Sequence, residues 1–205
     1  MEDVLDLYAE PHDPAKPVVC FDESSKQLVA DTRVPLPMAP GQPERFDTEY
    51  ARNGTANLFL VSQPLGGWRQ VAVTDRRTKY DFAEQMRALV DRHFPDATTI
   101  RIVLDNLNTH TPASLYEAFP PAEARRILRK LEFHYTPKHG SWLNMAELEF
   151  SMLSRQCLAR RIGDRDSLAT EVHAWTNARN EQRATIHWQF TVEDARVKLH
   201  RLYPA

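Results

Sequence analysis

Only two cysteines, Cys20 and Cys157, occur in 205 residues, each in an apolar setting, VVCF and RQCL. That scarcity argues against a disulfide scaffold or a cysteine-built metal cage and predicts two buried free thiols. No run approaches the roughly 18–20 continuous apolar residues that a membrane crossing needs. The acidic opening MEDVLDLYAEPHD has no apolar secretory segment, which points to the cytoplasm and no membrane partner. Internal repeats and low-complexity tracts are missing as well. Net charge is small, −2 at pH 7 with histidine neutral, which argues against a simple, uniformly basic nucleic-acid binder.

What is present is an ordinary globular composition, 42% apolar and 26% charged, in a chain long enough for one domain with a full core. The small net charge conceals an asymmetry. Residues 1–50 hold eleven acids against four bases, whereas residues 125–161 hold eight bases against three acids. A basic stretch facing an acidic cluster suits a metal-dependent enzyme acting on a polyphosphate. Taken one at a time, most of these charges are read as solvated helix faces.

Pro11, Pro14 and Pro17 enforce an extended lead-in after a short helix at 4–10. PVVCFDE reads as a short buried strand ending in carboxylates, followed by an irregular proline-rich connector through Pro35, Pro37, Pro40 and Pro43. Strands are expected at 55–63 and 68–75, with Leu65-Gly66-Gly67 as the turn between them. A helix beginning near Lys79 places Phe82, Met86, Leu89, Val90 and Phe94 at helical spacing and stops at Pro95. TIRIVLDN at 99–106 is a further strand, helices follow at about 112–119 and 121–131, and a short strand lies at 131–137. A helix begins near Asn144, and the remainder reads as helical, with Leu168, Val172 and Trp175 on one stripe. Strand–turn–strand and strand–helix–strand units in one chain predict a mixed sheet with helices packed on its faces.

Three acids stand where chemistry would want them. Asp22 ends VVCF, Asp105 ends IRIVL, and Glu147 opens the helix in WLNMAELEF. Strands lie about 4.8 Å apart, so two strand-end aspartates on neighbours can reach the same ions. A helix-borne carboxylate would complete a hard-oxygen set suited to magnesium or manganese. Each acid also has a plainer reading. A strand-end aspartate often only forms a turn, and Asn144 followed by Glu147 fits a capping box. Glu149, two residues on, is an alternative ligand. Asn106 and His110 in LDNLNTH, and His134, Lys138, His139 and a buried-looking Trp142 ahead of Glu147, are expected to crowd the same edge of the sheet.

VVCFDE at 18–23, LDNLNTH at 104–110 and HYTPKHGSWLNMAELEF at 134–150 together resemble bacterial insertion-sequence transposases of the six-thirty family, distant relatives of the mariner elements. The likeness continues through SRQCLARRI at 154–162 and EDARVKLHRLYP at 193–204. It implies an α/β, ribonuclease H-like fold with a mixed five-stranded sheet and helices on both faces. The catalytic core would span 18–163, between a lead-in at 1–17 and a helical extension at 164–205. The resemblance also implies a DDE (Asp–Asp–Glu) triad of Asp22, Asp105 and Glu147 holding two Mg2+ ions, with Mn2+ able to substitute. Forty-one residues separate the last two acids, longer than is usual among mariner relatives. Glu23, Asn106, His110, His139, Trp142 and Asn144 are expected to support the site, Glu23 without being a ligand.

The activity implied is DNA cleavage and strand transfer on transposon ends and target DNA, in bacterial cytoplasm and on the nucleoid. It needs no covalent protein intermediate, which agrees with the lack of a nucleophile motif. Lys138, Arg155, Arg160 and Arg161 are expected to contact phosphates. Members of this family carry helix-turn-helix DNA-binding domains ahead of the catalytic one, and only 21 residues precede Asp22 here. The expectation is therefore a catalytic half, acting as a homodimer or with a helix-turn-helix partner segment. The competing readings are a non-catalytic regulatory remnant that pairs with full-length transposase and a host-adapted nuclease of the same fold.

Overall fold

A computed structural model describes residues 1–203. Five strands, β1 (Val18–Asp31), β2 (Tyr50–Gln63), β3 (Trp68–Thr74), β4 (Ile100–Leu104) and β5 (Leu131–Tyr135), form one sheet in the order β3-β2-β1-β4-β5. The first three pair antiparallel, while β1–β4 and β4–β5 pair parallel. Two interior parallel pairings leave β1 and β4 covered on both faces, which is why β4, IRIVL, is buried along its whole length and apolar but for Arg101, whose guanidinium pairs with Glu10 and donates to Lys16 O.

Strand alternation divides the interior into two layers. Cys20, Leu58, Leu60 and Val103 face one layer; Val19, Phe21, Phe59, Val61, Ile102 and Leu104 face the other. The second layer is closed by α2 (Lys79–Ala88), α3 (Pro112–Ala118) and α4 (Pro121–Leu128). Thr78 caps α2 through a reciprocal capping box with Asp81, and prolines occupy the first turns of α3 and α4. The first layer is closed by α1 (Glu2–Ala9), α5 (Ala146–Leu153), α6 (Arg165–Glu181) and α7 (Val192–Lys198). Helix α1 buries Val4, Leu5, Leu7 and Tyr8, so the lead-in contributes a core helix. No described helix is long and apolar enough to cross a membrane, and both cysteines are free and buried.

Two segments differ from the sequence expectation. Strand β1 continues eight residues past Glu23, and β2 begins at Tyr50 rather than 55, so the pair forms a long ribbon. Its outer part lacks apolar alternation but is buttressed from outside. Val29 N donates to Ile162 O at 2.8 Å, Lys26 Nζ to Leu158 O at 2.8 Å and Asn53 Nδ2 to Gly163 O at 2.7 Å. The proline-rich connector folds back on itself through bridges at Leu36–Arg45 and Ala39–Gln42. The second difference lies between α6 and α7. Arg183, at φ 46°, breaks the expected helix, and the chain runs irregularly past Ile186, Trp188 and Phe190, which pack on the first layer.

Candidate active site

Parallel pairing of β1 with β4 aligns Cys20 with Val103. Carried two residues on, that register brings Asp22 and Asp105 to the same edge, close enough for the Asp105 charge to act on the Asp22 carboxyl. Asp105 lies one residue past β4. Alternation turns Asp22 toward the layer that holds α5 and Glu23 toward the opposite one.

The third acid is brought in by Asn144, which is buried. Its Nδ2 donates to Phe21 O at 2.8 Å, the carbonyl next to Asp22, and its Oδ1 accepts from Ala146 N at 3.1 Å. The start of α5 is thereby pinned to β1. No side-chain capping bond closes this helix, so the capping-box reading of Glu147 does not hold. Glu147 is exposed in the first turn, while Glu149, about 200° further round the helix, is fully buried. The Glu149 carboxylate pairs with Arg69 at 3.2 Å and with Arg179 at 2.9 Å. Arg69, itself 1% exposed, also donates to Gly67 O, Arg179 O and Ala184 O. Glu149 is therefore committed to joining α5, β3 and α6, and only Glu147 is free to face the aspartates.

Burial pushes the Asp22 carboxyl up to about 7, with repulsion from Asp105, Glu147 and Glu23 adding to it and the Glu23 N–H opposing it. His110 is the counterweight. Its burial alone would lower its basicity, but the Asp105 hydrogen bond and the Glu23 contact outweigh this and raise it to about 9. Nδ1 lies 2.6 Å from Asp105 Oδ1 and Nε2 2.7 Å from Glu23 Oε2. The Glu23 contact is an ion pair set off the ring N–H direction rather than a directed hydrogen bond.

Three hard carboxylates, one of them held up in basicity by burial and by the charge of its neighbours, are a donor set whose chemistry fits a divalent cation. Among the described residues no group of three or more His, Cys, Asp or Glu side chains is placed closely enough to hold a metal ion as it stands.

Of the remaining expected residues, Asn106, Lys138 and His139 line one cleft with Asp105 and Ser141. His139 sits at φ 63°, left-handed backbone that turns the chain sharply there. Trp142 is 44% exposed rather than enclosed, stacked on Trp188 at 6.2 Å with Phe190 edge-on at 5.7 Å. His134 faces away from the acids, bonded to Asp3 and Glu132 at 2.8 and 2.9 Å. Arg155 is exposed just past α5, bonding back to Ser151 O. Arg160 pairs with Glu171. Arg161 pairs with Asp31 at 2.6 Å and packs over Phe46 and Tyr50. Asp31 is nine residues along β1 from Asp22, or about 30 Å, so Arg161 braces the ribbon. The buried Arg69–Glu149–Arg179 cluster is missing from the sequence reading, because nothing local marks an arginine inside a strand as buried.

The family model described as DDE superfamily endonuclease matches residues 17–169, three quarters of the chain and all three acids. The chain belongs to this family. As a DDE superfamily member it shares its ribonuclease H-like fold with a chain in the crystal structure of the Mos1 strand transfer complex. The TM-score is 0.60 at 14% identity, over 89% of this chain and 54% of that one. A chain of the Mos1 transposase paired-end complex with left transposon end aligns at TM-score 0.37 and 16% identity, over 83% of this chain and 55% of that one. That second superposition is too loose to bear on the fold. The chain thus spans about half the length of these solved chains. No curated protein matches the sequence.

Proposed function

We propose that this DDE-family domain is the catalytic core of a mariner-related transposase, cutting DNA at transposon ends and joining the exposed 3′ hydroxyl to target DNA. The observation that carries the reading is the parallel register of β1 with β4, which brings Asp22 in β1 and Asp105 just past β4 to one edge, with the helix of Glu147 tied to the residue before Asp22. Asp22, Asp105 and Glu147 would hold two divalent ions, Mg2+ or Mn2+. When bound, such ions supply Lewis-acid charge at the attacking and leaving oxygens of an in-line displacement.

In the first step water attacks phosphorus and loses a proton to solvent, the bond from phosphorus to the 3′ oxygen of the transposon end breaks, and that oxygen takes up a proton from solvent to leave as a hydroxyl. In the second, that 3′ oxygen attacks a target phosphodiester and displaces a target 3′ oxygen. One bond forms and one breaks each time, so no protein nucleophile is needed. The role of the protein is to hold the carboxylates at one point and to orient the phosphates. Lys138, at the cleft beside Asp105, is the best placed of the four expected phosphate contacts. Arg155 is exposed just past α5, whereas Arg160 and Arg161 reach DNA only by releasing Glu171 and Asp31.

The test is Mg2+-dependent nicking and strand transfer on end-containing DNA by the domain fused to a helix-turn-helix segment that binds those ends. Asp105→Asn is expected to abolish both products. Full activity in that variant would remove Asp105 from the site.

A further inference from the structure

Asp105 lies one residue beyond the last ladder position of β4, where the sheet no longer fixes its side chain, and that side chain is 33% exposed. A ligand carboxylate in such a place needs another constraint, and the fold provides one. The Oδ1 atom is held by His110 Nδ1 at 2.6 Å, which leaves Oδ2 as the oxygen without a protein partner among the described residues. His110 is itself fixed on every side and is 1% exposed. Its ring stacks on Phe82 of α2 at 4.9 Å and 29°, and meets Phe21 of β1 edge-on at 5.3 Å and 81°. Its carbonyl accepts from Tyr135 Oη at 2.8 Å. Its far nitrogen rests against Glu23, whose side chain is 6% exposed.

We propose that Glu23 and His110 form a positioning pair that presets the Asp105 carboxylate for a divalent cation, with Glu23 orienting the imidazole and the imidazole orienting Asp105. The proposal rests on the metal-dependent reading of the three acids and deepens it. It also explains why Glu23, beside the first acid in the chain, is not a ligand. Strand alternation turns it to the opposite face of the sheet, where it reaches the histidine instead. Partners that orient a ligating group in this way typically contribute a factor of about 10–100 in metal affinity.

The test uses the whole chain and Mn2+ binding measured by calorimetry, alongside urea unfolding of each variant. Asparagine places an N–H donor where His110 Nδ1 stands, whereas glutamine places one nearer the position of Nε2. His110→Ala and His110→Gln are therefore expected to weaken the Kd for Mn2+ about 10–100-fold, and His110→Asn to recover most of the loss. Because packing is lost in both amides, a merely structural role predicts equal effects. Equal affinity in the Asn and Gln variants, or wild-type affinity in His110→Ala, overturns the positioning role and leaves the metal reading standing. If His110→Ala fails to fold, the Asn–Gln comparison decides alone. No Mn2+ binding by the wild-type chain, or undiminished binding by Asp22→Asn, overturns the metal reading and the positioning role with it.

Discussion

Two glutamates separated by a single residue have opposite fates, and the difference is set by helix geometry. Glu147 and Glu149 lie about 200° apart around α5, so one faces solvent near the aspartates and the other enters the core. Glu149 is anchored by two arginines, one of them as deeply buried as itself. Removing one member of a buried charge cluster leaves the others unpaired, at a cost of about 3–5 kcal/mol. Glu149→Ala is therefore expected to lose that much stability in urea unfolding. Glu147→Ala, at an exposed position, should stay within about 0.5 kcal/mol of wild type yet abolish metal-dependent cleavage in the fused protein. The reverse pattern would exchange their roles.

At the scale of elements, the critical joint is between α5 and β1. Asn144 spans it with one donated and one accepted hydrogen bond, both buried. Asn144→Ala leaves the Phe21 carbonyl without its donor, at a cost of about 1–3 kcal/mol. It also frees the helix start from the strand that carries Asp22. The expected result is a lowered urea midpoint with an unchanged m-value, together with weaker Mn2+ binding. Undiminished Mn2+ affinity would show that α5 is held in register by the Glu149 cluster alone. The joint is legible in the sequence only as the motif SWLNMAE. That Asn144 would reach Phe21, more than 120 residues away, depends on where the sheet places β1. The long ribbon is illegible for a similar reason. Ser24, Ser25 and Lys26 show no strand pattern, and the support for Val29 and Lys26 comes from residues 158–163.

For the molecule as a whole, burial and crowding at the acid edge make stability depend on pH. Asp22 is raised to about 7 in the folded chain, against about 3.9 for a free aspartate. The folded state therefore holds more protons between those values, and this contribution to stability is lost as pH rises from about 4 to about 7. His110, raised to about 9 from about 6.5, contributes stability that is complete below about 6.5 and lost as pH climbs through 9. Both trends run downward with pH. In chelator, Asp22→Asn should become progressively more stable relative to wild type between pH 4 and 7. A flat difference across that range, measured by urea unfolding, would contradict the raised Asp22 carboxyl.

The sequence by itself determined the order of elements, the two apolar aspartate-ending strands and the three candidate acids. Those features are written in local periodicity, in turn and cap residues, and in motifs whose spacing survives any fold. It left open whether Glu147 or Glu149 faces the site, because two carboxylates in one helical turn are equivalent until the helix has a buried side. Tertiary structure decided that question by closing Arg69 and Arg179 around Glu149. It likewise turned Asp22 and Glu23 to opposite faces of the sheet and placed His110 between Glu23 and Asp105. Each of these is a contact between residues distant in the chain, made only once strand pairing has fixed which side chains share a face.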